Sequence, residues 1–139
     1  MPKPDDVGVG TAMLLINDDG QVLLGKRKGA HRAGFWSVPG GWLDRADADT
    51  VQAAIRETYE ETGLEVTIAE PHIWLTEDHP EIECRTVTLY HTALCWKGEP
   101  HAMEPDKCEE WRWFPINALP TPLFPGVYQA VQEFMGALT

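Results

Sequence analysis

Three glutamates, Glu57, Glu60 and Glu61, fall in the run Arg56-Glu57-Thr58-Tyr59-Glu60-Glu61-Thr62-Gly63-Leu64. Residues three and four apart share one face of an α-helix, so these carboxylates crowd together. Like charges at that spacing destabilise a bare helix by roughly 0.2–0.5 kcal/mol a pair. A hard divalent cation neutralises them, and Mg2+ or Mn2+ prefers oxygen ligands of this kind. A metal held this way can lower the pKa of a bound water and neutralise negative charge on a substrate oxygen.

A helix must carry the three carboxylates, and its signals are present. Asp49 with Gln52 forms a capping-box pattern, Ala53-Ala54-Ile55 favours helix, and Gly63 supplies the stop. Upstream, Val9–Ile16 and Val22–Arg27 read as strands joined by the turn residues Asn17-Asp18-Asp19-Gly20, so a β-hairpin is expected over 9–27. A loop, Gly29 to Gly34, precedes a short strand Phe35–Val38, and Pro39-Gly40-Gly41 turns the chain where backbone can approach a ligand closely. Downstream, Val66–Trp74 and Thr86–Trp96 read as strands with a loop at His79-Pro80 between them. In Cys108–Phe114, Trp111 and Trp113 alternate with Glu110 and Arg112. Gly126–Leu138 closes the chain as an amphipathic helix, with Val127, Ala130, Val131, Phe134 and Leu138 inward. The pattern alone gives one α/β or α+β domain.

Length and composition agree. The 139 residues suit one domain, and 43% apolar with 24% charged residues is ordinary for a globular protein. No apolar stretch approaches the roughly 20 residues that span a bilayer, and Met1-Pro2-Lys3-Pro4 lacks a signal-peptide core. Three widely spaced cysteines, Cys84, Cys95 and Cys108, point to reduced thiols in the cytoplasm. A net charge of −11 argues against nucleic acid duplexes as the main partner. Yet Lys26, Arg27, Lys28 and Arg32 cluster locally, which suits either a small phosphate ester or a solvated strand end. The five histidines show no metal-ligand spacing and read as surface or loop residues.

The segment from Gly41 to Leu64 resembles the Nudix box, G-x5-E-x7-R-E-U-x-E-E-x-G-U with U apolar. Gly41, Arg56, Glu57, Glu60, Glu61, Gly63 and Leu64 match it. Asp47 stands in place of the first glutamate, one extra residue separates it from Arg56, and Thr58 replaces an apolar residue. The flanking segments Val22–Gly29 and Glu104–Phe114, with Leu119-Pro120 and Leu123-Phe124, are similar to the MutT-like nucleotide triphosphate diphosphatase branch. The likeness covers roughly residues 7 to 128.

The resemblance implies a Nudix fold, an α/β/α sandwich around a mixed sheet. It implies a Mg2+-dependent, Mn2+-tolerant pyrophosphohydrolase acting on nucleoside triphosphates, modified or oxidised ones included. Other diphosphates (ADP-ribose, a nucleotide sugar, an isoprenoid diphosphate) stay open, as does a non-catalytic nucleotide-sensing module. Glu57, Glu60, Glu61 and a loop carbonyl at Gly40 or Gly41 are the implied metal ligands, and Arg56 orients the carboxylates or forms a plain surface ion pair. Arg27 is placed on phosphate and Phe124 in a base pocket where relatives carry a second aromatic and this chain has Pro125. Trp42 either completes that pocket or packs as a loop aromatic. The general base is Glu60 or Glu61, or a glutamate from a later loop, where Glu104, Glu109 and Glu110 are the candidates and each also reads as a plain surface or strand residue. The likeness also implies a homodimer, for which the six tryptophans offer apolar surface.

Overall fold

The computed structural model describes residues 7–29 and 31–137. Strand β1 (Val7–Leu14) and its continuation set the layering by simple alternation. Ala12 and Leu14 enter one core cluster with Val127, Ala130 and Val131, while Met13 and Leu15 enter a second with Ala54, Leu64 and Val66. Strand β2 (Gln21–Arg27) repeats the division, with Val22 and Leu24 on the first side and Leu23 on the second. A layer apolar on both faces needs a helix on each, and it has them. Helix α1 (Thr50–Thr62) covers one side and α2 (Val127–Ala137) the other, giving the α/β/α sandwich the resemblance implies.

The middle layer is two sheets. The larger is mixed, in the order β4-β1-β6-β5, with β4 at Gly40–Trp42, β5 at Glu65–His79 and β6 at Cys84–Lys97. Strands β1 and β6 run parallel, and the other pairs are antiparallel. The smaller sheet is β3-β2-β7, with β3 at Trp36–Ser37 and β7 at Cys108–Pro115. The hairpin expected over 9–27 is therefore only begun. Asn17 Oδ1 accepts from the Asp19 and Gln21 amides and a bridge joins Ile16 to Val22, after which the strands diverge into different sheets. The turn chemistry was legible; the later partners, β6 and β7, lie too far along the chain for local pattern to reveal.

Strands β5 and β6 both run longer than the pattern implies, and a 3-10 turn at Pro80–Ile82 connects them. Helix α1 starts as read: the Asp49 carboxylate accepts from the Gln52 amide at 2.8 Å, and Gly63 caps the end with φ of 79°. Thr58, the polar residue at an apolar position, is fully buried but donates to the Ala54 carbonyl at 2.7 Å. In α2, Val127, Ala130 and Val131 are buried and Phe134 is half-buried, while Leu138 lies outside the described residues.

Candidate active site

Strand β4 pairs with β1 through Gly40–Ala12, Gly41–Thr11 and Trp42–Gly10, which brings the double glycine against α1. The approach is too close for side chains. A methyl at Gly41 would come within 2.6 Å of the Glu57 carboxylate, and one at Gly40 would collide with the Thr11 carbonyl. The Gly40 amide donates to Glu61 Oε1 at 2.7 Å. Burial pushes the Glu61 carboxyl up to about 8, since a charge there is poorly solvated and Glu57 and Glu104 stand nearby. Burial also raises Glu57, against the opposing pull of Arg56.

Arg56 is the hub of this end of the helix. Its Nε and Nη2 donate to the two oxygens of Asp47 at 2.8 and 3.0 Å, and its Nη1 donates to Glu57 at 3.0 Å and Glu60 at 2.7 Å. The extra loop residue does not displace Asp47. A tight turn, with the Asp47 amide on the Asp44 carbonyl and the Asp44 amide on Asp47 Oδ2, absorbs it. The Arg56 fork lowers the Asp47 carboxyl from its ordinary value.

Eight of the residues singled out in the sequence line one cleft of about 530 Å³: Gly40, Gly41, Trp42, Glu57, Glu60 and Glu61 with Arg27 and Phe124. Arg56 stands behind the carboxylates. Arg27 lies over the Phe124 ring at 4.6 Å, and burial lowers its pKa against the pull of Glu61. Arg27 is thus a wall of the cleft and not a solvated strand end. Of the three later-loop glutamates, Glu104 lines the cleft, whereas Glu110 pairs with Arg112 at 2.7 Å and Glu109 is exposed. Trp111 also reaches the cleft, donating from Nε1 to the Glu61 carbonyl at 3.1 Å, and Trp113 stacks on Trp96.

The structure corrects the reading of the histidines. His79 and His91 are only 2% and 1% exposed. His91 bridges the Ala12 carbonyl and the Thr50 hydroxyl, tying β6 to β1 and to the first turn of α1. His79 lines the cleft beside Phe124, with ring centroids 5.6 Å apart. Sequence reasoning also passed over Glu77, a buried carboxylate that accepts from Thr86, Thr88 and Tyr90 hydroxyls on β6. Only strand register assembles that group: Glu77 pairs with Thr86 across β5 and β6.

The carboxylates of Glu57, Glu60 and Glu61 with the side-chain-free backbone at Gly41 make an all-oxygen donor set, and among the described residues no ion pair neutralises the half-buried Glu61. Such a set fits a hard divalent ion. The sequence model of the NUDIX domain family matches residues 6–134. This chain belongs to the Nudix family.

Its relatives agree. The RNA pyrophosphohydrolase of Nitrobacter winogradskyi is 38% identical over 105 residues, 70% of this chain and 56% of that protein. That of Rhodopseudomonas palustris is 32% identical over 168 aligned residues, covering 96% of this chain and 92% of its own length. The crystal structure of a MutT NUDIX hydrolase from Burkholderia pseudomallei superposes with a TM-score of 0.86 at 31% identity, over 93% of this chain and 98% of that one. The protein is a Nudix hydrolase acting on phosphoanhydride bonds, and such enzymes generally use a divalent metal.

Proposed function

We propose that this protein hydrolyses nucleoside triphosphates, modified or oxidised ones included, to the monophosphate and pyrophosphate with Mg2+, Mn2+ substituting. The observation that carries the reading is one cleft lined both by the helix carboxylates and by an Arg27–Phe124 stack. Glu57, Glu60, Glu61 and the Gly41 carbonyl would hold the ion, which when bound polarises the phosphoryl group and acidifies a water. Arg56 orients the carboxylates from behind. Arg27 offers a cation to the phosphate chain, Gly40 and Trp42 line its path, and Phe124 offers a ring edge to the base.

A second reading follows from the names of the relatives: the triphosphate removed is that of an RNA 5′ end. The chemistry at the phosphates is the same, and the acidic surface, with a net charge of −11, favours the free nucleotide. Pyrophosphate release from a panel of nucleoside triphosphates, damaged nucleotides, diphosphate conjugates and a 5′-triphosphorylated RNA oligonucleotide decides between them. Turnover confined to the RNA or to a diphosphate conjugate overturns the nucleotide reading, and binding without turnover on every substrate points to a sensing module.

We further propose a cytoplasmic homodimer. Three free cysteines support the compartment. The exposed Ile68 and Trp74 on β5, an edge strand, with Leu94 on β6, support an apolar subunit contact.

A further inference from the structure

One wall of the cleft is a carboxylate ringed by hydroxyls. Glu77 is 6% exposed and lines the cleft together with Thr86, Thr88 and Tyr90. This wall adjoins Phe124: Gly126, two residues further along the chain, lies against Glu77 Oε2, and His79 packs beside the Phe124 ring while its Nε2 reaches Thr86. Among the described residues no ion pair neutralises Glu77, and its partners are the three hydroxyls. A buried charge is among the costliest groups to withdraw from water, so a lone one in a cleft wall calls for an explanation.

The protons of this wall are all spent. The Thr86 hydroxyl donates to Glu77 Oε1 at 3.0 Å, the Tyr90 hydroxyl donates to Oε2 at 3.1 Å, and Thr88 donates to Oε1 as well. Each hydroxyl has a single proton, and all three go to the carboxylate. Burial, with the Glu77 charge behind it, pushes the Tyr90 phenol up, so that proton stays in place. Thr86 in turn accepts from His79 Nε2–H, 3.2 Å away. What Glu77, Thr88 and Tyr90 still offer the cleft is lone pairs and no donor.

We propose that Glu77, with Thr88 and Tyr90, reads the base of the nucleotide and selects bases that carry an exocyclic amino group over their deaminated counterparts. This rests on the nucleotide reading of the cleft. The amino groups of adenine, cytosine and guanine are pure donors, and a wall of pure acceptors pairs with them. Deamination puts a carbonyl oxygen in the same place, which sets lone pair against lone pair in a buried site. The two bases of such a pair are almost the same size. A cleft shaped for one therefore admits the other, and only the hydrogen-bond pattern separates them.

A free cation also suits lone pairs, but the neighbourhood repels it. The guanidinium groups of Arg27 and Arg32 lie 4.6 and 5.8 Å from the centre of the Phe124 ring. A neutral amino group escapes that repulsion. Glu77 differs in role from the helix carboxylates: it meets the base and not the phosphates, so it selects substrate without taking part in the reaction. Its loss should therefore fall on binding and on the choice of base.

The test is pyrophosphate release at saturating Mg2+ from three matched pairs: CTP and UTP, ATP and ITP, GTP and XTP. The best substrate should carry the amino group, with kcat/KM roughly 10–100-fold above that of its deaminated counterpart. Glu77→Gln keeps an oxygen for both threonine hydroxyls and turns the other acceptor into an amide donor. At unchanged circular dichroism it should bring that ratio close to one, through KM more than through kcat. Independently of any variant, the carboxyl carbon resonance of Glu77 should shift on saturation with the monophosphate of the preferred base and stay in place with that of its counterpart. A best substrate that lacks the amino group overturns the proposal, as does an unmoved resonance or a ratio that Glu77→Gln leaves intact. Turnover of none of the six overturns the nucleotide reading and this inference with it. Turnover of both members of each pair at equal kcat/KM overturns this inference alone.

Discussion

Glu61 is buried more deeply than its two companions, and its chemistry follows from that. Replacing it with Gln keeps an oxygen for the Gly40 amide while deleting the charge, so Glu61→Gln should fold normally and lose most turnover at saturating Mg2+. Asp47 touches Arg56 and the Asp44 amide, so Asp47→Asn should cost less, about 10–100-fold. An equal loss in both variants would place Asp47 on the metal. Protonation gives a second test. The folded state holds the Glu61 proton up to about pH 8, while the unfolded chain releases it near 4.5. Its contribution to the metal-free fold is therefore present below the lower value and lost as pH rises through the higher one. Mg2+ takes the proton's place, so the rise in Tm on adding Mg2+ should be larger at about pH 9 than at about pH 6. A pH-independent rise would show that the ion binds elsewhere. Phe124→Ala should raise KM for nucleotides more than it lowers kcat, because the ring binds ground and transition states alike.

At the scale of elements, one glycine is fixed by what lies opposite it and another by its backbone conformation alone. Gly126 has φ of 91°, and a methyl there would collide with Glu77 Oε2 and come within 2.6 Å of the Tyr90 hydroxyl. Gly126→Ala should therefore disturb the buried Glu77 group and lower Tm, by more than Gly63→Ala does at the end of α1. There the left-handed turn alone costs roughly 1–2 kcal/mol. A Gly126→Ala protein as stable as the parent would mean that Glu77 moves freely. The contrast between these glycines shows what the sequence could reveal. Gly63 sits after a capped, periodic helix and is readable in place, and so are the carboxylates of that helix, which are neighbours by helical spacing. Glu77, Thr86, Thr88 and Tyr90 become neighbours only when β5 and β6 pair in register, and no local pattern specifies that register. The divergence of β1 and β2 was hidden for the same reason: each finds its main partner seventy or more residues away, as in Val7–Arg85 and Gly25–Trp111.

For the whole molecule, the open question is what covers β5. It is the outer strand of the larger sheet, fifteen residues long, and it exposes Ile68 at 56% and Trp74 at 65%. A long edge with large apolar residues invites pairing with another chain unless something blocks it. Charged Glu65 and Asp78 flank this stretch, and one exposed carboxylate, Glu70, falls between Ile68 and Trp74. A two-fold contact would place the same patch of both copies face to face and bury the tryptophans together. We therefore expect dimers in sedimentation at moderate concentration, and Trp74→Glu should convert them to monomers with the fold retained. Because Trp74 does not line the cleft, the monomers should keep their turnover per site. Parent protein that sediments as a monomer defeats the dimer, and a dimer that survives Trp74→Glu moves the contact away from β5.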